Sequence, residues 1–427
     1  MSDQNYLQKS VILLTGGAGF LGKVVLEQLM RQKDSLGIDR VILLLRSDRK
    51  RDPVQRFRER VATSPCFRNL PAGWEKHIEV LAGDLSMPNW GLTAEQQLET
   101  ANQITHIIHS AASVDFNLPL KDAANANITT TLSTIDFAKA CTKLKQFIYV
   151  STAYVRPHTE GAIAEELVAL PLDPAKTYDD IINDRANESA LLTLTGHPNT
   201  YTFTKCVAEH LVAKNRGHLP ITVVRPSIIS AALKSPFPGW IDSYAALAAF
   251  VGVFGAGYLR VVAADPEARL DVVPVDEVSR IVVDQCFKEE AIHDHLKIVH
   301  AAVGLSNAMR IGDLPAFGTQ YFNQFPARRQ AYLRYLGPLN TMRRLQHIIF
   351  ERIPTRLVWL AARITGRKSQ ARQIGKLDHV LKSIFKLFPY FTHNSFDFKM
   401  SYKKPVSIDR DAYLQLICEG VRTHLLR

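Results

Sequence analysis

Apolar residues in the first half of the chain come in short unbroken runs. Val11–Thr15, Val41–Leu45, His77–Leu81, Ile104–Ile108, Phe147–Val150 and Ile221–Val224 are rich in Val, Ile and Leu and do not alternate with polar residues. Such runs predict strands covered on both faces, as in a parallel sheet. Between them the apolar period lengthens to the helical one, over Leu21–Gln32, Leu120–Cys141 and Tyr201–Asn215. Repeated strand–helix units predict an α/β fold with a doubly wound parallel sheet. Two stretches interrupt the rhythm. Arg156–Asn199 is polar and carries Pro157, Pro171, Pro174 and Pro198, and Ser235–Asp265 is rich in proline and glycine. Both read as insertions over the sheet, at about 156–199 and 235–270 of a first domain spanning 1–305. Beyond it the rhythm stops. Amphipathic patterns at Leu345–Arg363 and Leu377–Leu387 predict a small helical domain over 306–427.

Length fits that division, since 427 residues suggest two or three units at roughly 150 residues each. An apolar content of 46% excludes a disordered, collagenous or coiled-coil chain. The charge of +11 is unevenly spread. Arg328–Arg427 holds 20 basic and 6 acidic residues, while the first 327 residues are close to neutral. A basic tail points to phosphates, an anionic membrane surface or nucleic acid, set against the plainer reading of a solvated helical face. No nucleic-acid motif or continuous polybasic run accompanies it, so no nucleic-acid partner is expected. Cys66, Cys141, Cys206, Cys286 and Cys418 are scattered and lack C-x-x-C spacing. That argues for a reducing compartment and against a disulfide framework or a metal site. MSDQNYLQKS has no apolar signal core, so a cytoplasmic protein is expected, with peripheral membrane contact through the tail. The longest apolar stretch, Tyr244–Leu259, contains three glycines and falls short of the ~20 residues of a spanning helix. It reads as buried or substrate-lining backbone.

The first strand runs into Thr15-Gly16-Gly17-Ala18-Gly19-Phe20-Leu21-Gly22 and then a helix. Strand, glycine loop and helix in that order are the setting of a Rossmann-type dinucleotide fingerprint. Gly16 permits the tight turn, Gly19 lets backbone approach a pyrophosphate, and Gly22 lets the helix pack closely on the sheet. Thr15, Phe20 and Leu21 complete the loop, and the helix N-terminus offers N–H groups to the anion. Simple tight packing is the plainer alternative. The second strand ends on Arg46, where an acidic residue would take the ribose 2′-hydroxyl of NAD. A guanidinium suits a 2′-phosphate instead, and Arg56 is a second candidate, so NADPH is expected. The competing reading makes Arg46 one of several exposed arginines in Arg46–Arg51. Asp84 and Leu85 are candidate adenine contacts. Ser110, Ala111 and Ala112, after His109, supply small residues along the nicotinamide ribose path.

Tyr201-Thr202-Phe203-Thr204-Lys205 places Tyr201 and Lys205 on one helical face, four residues apart. Upstream, Tyr149-Val150-Ser151-Thr152 ends a strand, which puts two hydroxyls at the carboxyl edge of the sheet, where ligands bind. Carbonyl reduction needs a proton on oxygen as hydride reaches carbon. A free tyrosine titrates near ~10, and an adjacent ammonium favours its ionised form. Lys205 is expected to supply that charge and to hold the nicotinamide ribose. Thr152, or alternatively Ser151, is expected to hold the carbonyl oxygen. Arg225 is expected to brace a strand end beside the cofactor, with Pro226 and Ser227 as candidate cofactor contacts, or else to form a structural ion pair. His109 reads as a packed neighbour rather than a base. His158 and His197 have no partner at metal-ligand spacing.

The G-x-x-G-x-x-G loop, as TGGAGFLG, resembles the extended branch of the short-chain dehydrogenase/reductase superfamily. Longer stretches resemble alcohol-forming fatty acyl-CoA reductases more than sugar epimerases. They are TGGAGFLGKVVLEQL, GDLSMPNWGL, HSAASVDFNLPLKDAANAN, YVSTAYV, NTYTFTKCVAEHL, VVRPSII, SPFPGWID and DVVPVDEV, in family order over roughly the first 300 residues. PFPGWID is the most particular to that family. The tail, with its aromatic Phe388–Phe398 stretch, is similar to the family's C-terminal helical domain more loosely. The reductase domain of carboxylic acid reductases shares the loop, the Arg46/Arg56 pattern and the hydroxyl–Tyr–Lys set.

This resemblance implies reduction of a long-chain acyl-CoA thioester with NADPH, release of coenzyme A and an aldehyde, and a second reduction to the primary alcohol. It implies that Asn127 is the asparagine that supports the catalytic lysine. Pro236–Leu259 and the amphipathic tail become candidate acyl-chain walls, with ordinary core packing as the alternative. The competing functions are an aldehyde-releasing thioester reductase, a nucleotide-sugar epimerase or dehydratase, and a non-catalytic NADP-binding sensor.

Overall fold

The computed structural model of the chain describes residues 9–48, 50–288, 295–326, 329–402 and 408–426. Residues 1–8, used above for the absence of a signal core, Arg49 of the arginine run, and Arg328, Lys403, Lys404 and Arg427 of the basic tail lie outside them.

Seven parallel strands form the sheet: β1 (Ser10–Thr15), β2 (Ile38–Leu45), β3 (Ile78–Ala82), β4 (His106–His109), β5 (Gln146–Val150), β6 (Ile221–Pro226) and β7 (Lys297–Ala301). Their spatial order is β7-β6-β5-β4-β1-β2-β3. The chain starts at β1 near the centre, moves out to β3, returns to β4 and winds on to β7. The order therefore reverses between β1 and β4, and a crevice opens there beyond the carboxyl ends of the strands. Leu14 pairs with Leu43 on one side and Ile108 on the other, so the reversal is held by apolar residues in register.

Side-chain alternation in β1 explains why both faces are covered. Ile12 and Leu14 face a core shared with helix α1 (Phe20–Arg31), while Val11 and Leu13 face the opposite core. That second core takes in the helical run Leu120–Ala124, a wide π turn at Asn125–Thr129, α2 (Thr130–Lys139) and α3 (Thr200–Asn215). Six strands coincide with the apolar runs. β7, with sequence KIVHA, is not visible in that pattern because Lys297 and His300 dilute it. His300 is nevertheless buried, and its Nδ1 donates to the Lys399 carbonyl of the tail at 2.6 Å.

The first insertion holds two short helices, Pro174–Ile182 and Glu188–Thr195. Asp173 and Asn187 cap them, accepting from Lys176 N at 2.8 Å and Ala190 N at 2.9 Å. The second insertion forms α4 (Ala246–Gly255), and the fold then adds α5 (Val275–Cys286) against α1. There the Ser279 hydroxyl donates to Gln28 at 2.8 Å. No helix among the described residues is long and apolar enough to cross a membrane. All five thiols are buried and free.

Past residue 306 come α6 (Asp313–Gln324), α7 (Ile353–Ile364), α8 (Lys368–Leu387) and α9 (Arg410–Gly420). Much of this segment is woven into the body. Asp397–Phe398 pairs with Ala162–Ile163 of the first insertion. The Tyr413 hydroxyl donates to the Ala231 carbonyl at 2.8 Å. A Cβ on Gly420 would lie 2.1 Å from the Gly239 carbonyl oxygen, so α9 meets the second insertion backbone to backbone. One apolar core therefore runs from β1 through both insertions to Leu425.

Candidate active site

Asn199 opens α3 by accepting from Thr202 N at 2.9 Å, which starts the helix beneath the sheet's carboxyl edge. Tyr201 and Lys205 follow on one face, and Glu209 continues it one turn on. Lys205 is 2% exposed. Its Nζ donates to the Val150 carbonyl at 2.9 Å and to the Tyr149 hydroxyl at 3.4 Å, and lies 4.7 Å from the Tyr149 ring centroid. Burial lowers the Lys205 ammonium to about 7, against the opposing charge of Glu209. Burial likewise raises the Tyr201 phenol to about 12, and the Thr152 hydroxyl beside it works in the other direction. The expectation that Lys205 brings Tyr201 down is therefore corrected. The ammonium is engaged at the end of β5, and desolvation dominates at the phenol.

Ser151 and Thr152 both sit at the β5 terminus, as the sequence places them. Thr152 Oγ1 accepts from Tyr154 N at 3.3 Å. Ser151 Oγ is buried beside the Tyr149 phenol, which is its one polar neighbour among the described contacts. Tyr149 itself was not singled out from sequence. Its signal is the strand period: two residues before Ser151, it shares that residue's face. Glu209 was also passed over, although it extends the i, i+4 spacing. It is nearly fully buried and holds Arg225 through Nε at 2.9 Å and Nη2 at 2.5 Å. Of the two readings of Arg225, this pair is the ionic one, and it fastens α3 to β6.

The glycine loop packs closely on the β4 exit. Gly16 has φ +75°, and a Cβ there would stand 2.7 Å from Ala111 N and Ser110 C. Gly22 is tighter, its imagined Cβ lying 2.2 Å from the Gly16 carbonyl oxygen, so it closes helix onto loop rather than onto sheet. Gly19 is the N-cap of α1. No side chain caps its N–H groups, and its first turn holds no acid. Phe20 is half-buried and Leu21 buried in that turn. A 12-residue helix with an uncapped N-terminus behind a glycine-rich loop fits an anionic pyrophosphate. Thr15 Oγ1 bonds His109 Nδ1 at 2.9 Å and accepts from Ala111 N at 3.3 Å. Burial, then the Lys205 charge, depress His109 to about 3, which leaves it a neutral packed neighbour. Ser110 and Ala111 are half-buried along this path, and Ala112 is exposed.

At the far end Arg46 is exposed, 3.8 Å from Asp84, and its carbonyl accepts from Arg56 Nη1 at 3.0 Å. The two arginines and Asp84 thus converge, with Leu85 half-buried beside them. Partial burial would raise Asp84, but the Ser86 N–H and hydroxyl and the Arg46 guanidinium together hold it below its ordinary value. Asn127 sits in the π turn, a distortion that recurs at functional sites. Its side chain accepts from Ser113 N at 2.9 Å and donates to Thr204 Oγ1 at 3.1 Å. It therefore reaches α3 at Thr204, next to Lys205, rather than the lysine ammonium. Pro226 ends β6. The Ser227 hydroxyl beside it is committed to buried Asp271 at 2.5 Å, which also accepts from Val303 N and Gly304 N.

Aromatic side chains close the other side. Phe116 stacks on Tyr201 with ring centroids 5.5 Å apart and on Phe391 of the tail at 5.8 Å. Tyr154 meets Phe391, Phe396 and Phe398 edge-on. The aromatic tail stretch thus reaches the Tyr201 side of the site through Phe116, a proximity that chain position alone does not suggest. The PFPGWID segment lies over α1. Asp242 pairs with Lys23, the Asn69 side chain donates to the Pro236 carbonyl at 2.7 Å, and Arg68 stacks on Phe237.

A switch-point crevice with a glycine loop and a hydroxyl–Tyr–Lys edge defines an NAD(P)-binding oxidoreductase of the extended short-chain dehydrogenase/reductase type. Comparison with known proteins narrows the class. Residues 14–282 match the family described as male sterility protein. Fatty acyl-CoA reductase 1 of Homo sapiens is 30% identical over 405 residues, covering 92% of this chain and 77% of that one. Fatty acyl-CoA reductase wat of Drosophila melanogaster is 28% identical over 407 residues, with the same two shares. Among solved structures, the terminal R domain of the myxalamid PKS-NRPS pathway superposes with a TM-score of 0.68. The two are 23% identical, over 98% of this chain and 91% of that domain. The chain belongs to the fatty acyl-CoA reductase family and is an oxidoreductase.

Proposed function

We propose that the protein reduces long-chain fatty acyl-CoA to the fatty alcohol with NADPH, through an aldehyde and with release of coenzyme A. One observation carries the reading. The Tyr201 phenol has the Thr152 hydroxyl beside it, and its ring stacks on Phe116, which carries an aromatic wall on to Phe391. A polar, proton-delivering edge facing an apolar wall suits a carbonyl at the end of a hydrocarbon chain.

Thr15, Gly16, Gly19, Phe20, Leu21 and Gly22 would hold the pyrophosphate side of the cofactor. Asp84 and Leu85 would meet the adenine, and Arg46 with Arg56 the 2′-phosphate. Ser110, Ala111, Ala112, Pro226 and Ser227 would border the nicotinamide end, with Lys205 on its ribose and Asn127 behind. When bound, NADPH supplies hydride to the carbonyl carbon. Thr152, with Ser151 next to it, donates to the carbonyl oxygen and stabilises the charge that builds there. Tyr201 delivers its phenolic proton to that oxygen. The resulting hemithioacetal breaks its carbon–sulfur bond as its hydroxyl proton is given up. Coenzyme A leaves as thiol and the aldehyde remains. The same edge then protonates the aldehyde oxygen in the second reduction.

Incubation with NADPH and acyl-CoAs of graded length, followed by thiol assay and gas chromatography, tests this reading. Thiol release with alcohol as final product is expected. No thiol at any chain length removes the acyl-CoA assignment. Aldehyde accumulation reduces it to a thioester reductase, and turnover of UDP-sugars favours an epimerase.

A further inference from the structure

The run Thr341–His347, a wide π turn at Ile348–Arg352 and α7 form one nearly continuous helix of about 36 Å at 1.5 Å per residue. Its inward side is buried through His347, Glu351 and Ala362. Glu351 accepts from Arg260 N at 2.5 Å, Val261 N at 2.7 Å and His347 Nδ1 at 2.6 Å, which fixes the rotation of the helix. That rotation turns Leu345, Ile349, Ile353, Leu357, Leu360 and Ile364 outward, at steps of four or three residues. All six are exposed, Leu357 at 62% and Ile364 at 77%. The wide turn keeps the middle of the stripe in line. Scattered surface leucines need no explanation, but an apolar stripe this long on one helix face does.

Charge identifies what covers it. Residues 341–377 carry nine Lys and Arg and one acid, and that acid is the inward-facing Glu351. Arg344, Arg356, Arg363, Arg367 and Arg372 make no ion pair among the described residues. A second copy of the chain would set this cationic belt against its own equivalent. A bilayer with anionic headgroups complements both features, taking the stripe among its acyl chains and the arginines among its phosphates and carboxylates.

We propose that the outer face of Thr341–Ile364, with the start of α8, is a docking surface for an anionic lipid bilayer. The helix lies in the interface plane. The inference does not depend on the acyl-CoA reading, and vesicle binding and turnover are measured separately.

Flotation of the full chain with phosphatidylcholine vesicles, with and without phosphatidylserine, tests it. Binding to the serine-containing vesicles is expected, weakening as salt is raised. The pair Leu357→Glu and Ile364→Glu, both at exposed positions, should cut binding at least tenfold while NADPH binding is kept. Reversal of Arg356 and Arg363 to Glu should erase the preference for phosphatidylserine. If the apolar pair misfolds, quenching of the unmodified protein's tryptophans by brominated lipid replaces it, since Trp359 lies on this helix; no quenching overturns the proposal. So does an intact protein that stays with the aqueous phase for both vesicle types. A lipid-indifferent dimer that the Leu357→Glu and Ile364→Glu pair turns into monomer also overturns it, in favour of a second copy.

Discussion

Helix α3 buries Lys205 and Glu209 almost completely, while α7 leaves Leu357 and Ile364 largely in the open. Each departs from the apolar-inside, polar-outside pattern, in opposite senses. In α3 the departure is answered within the chain. Arg225 takes both carboxylate oxygens of Glu209, and the Val150 carbonyl and Tyr149 hydroxyl take Lys205. Desolvation still weakens the charged form of Lys205. In α7 the departure is not answered by any other part of the described chain, so its answer lies in the surroundings. Buried polar groups find their partners inside the chain, and exposed apolar groups without partners point to an interface.

The contrast can be tested, starting where the expected effect is largest. Tyr201→Phe should lower kcat about a thousandfold, the scale of losing a positioned general acid, while NADPH titration by fluorescence still shows binding. Unchanged turnover would remove Tyr201 from its role. Arg225→Met strands the Glu209 carboxylate in the interior and should cost about 3–5 kcal/mol in urea unfolding. Arg363→Met on exposed α7 should stay within about 0.5 kcal/mol in the same measurement. Equal losses from both would erase the distinction between the two helices.

Arg46→Asp should narrow the preference for NADPH over NADH by about tenfold to a hundredfold, the range of a charge-assisted phosphate contact. Equal use of both cofactors by the unaltered enzyme would overturn that reading. The smallest effect concerns pH. Because burial lowers Lys205 to about 7, its ammonium is present below that pH and lost above it. Cofactor affinity should therefore fall several-fold as pH rises through about 7. Tyr149→Phe removes an acceptor that favours the charged form, so the midpoint should move down by about half a unit to one unit. A midpoint that does not move would confine Tyr149 to packing.

Local patterns carried the body of the fold a long way. Six strands of the sheet, the glycine loop and the Tyr201–Lys205 face are each written in a short window, because strand and helix periods repeat every two or about four residues. β7 escaped because its His300 is buried by a partner about 100 residues later in the chain. The two helices of the first insertion were masked by a polar composition, although Asp173 and Asn187 stood at their caps. Within the site, the hydroxyl edge and the Tyr–Lys pair were legible. Tyr149 was not, because its role depends on which strand face meets α3.

The sequence alone determined the doubly wound parallel sheet, the loop that leaves the α1 N-terminus uncapped, and the placing of Tyr201 and Lys205 on one helix face, since neighbours along the chain encode all three. Tertiary structure alone decided three other things. It set where Lys205 spends its hydrogen bonds, brought Phe391 against Phe116, the ring that stacks on Tyr201, and left the apolar side of α7 outward. The physical reason is separation along the chain. A period states which residues share a face, but only packing between distant segments states what that face meets.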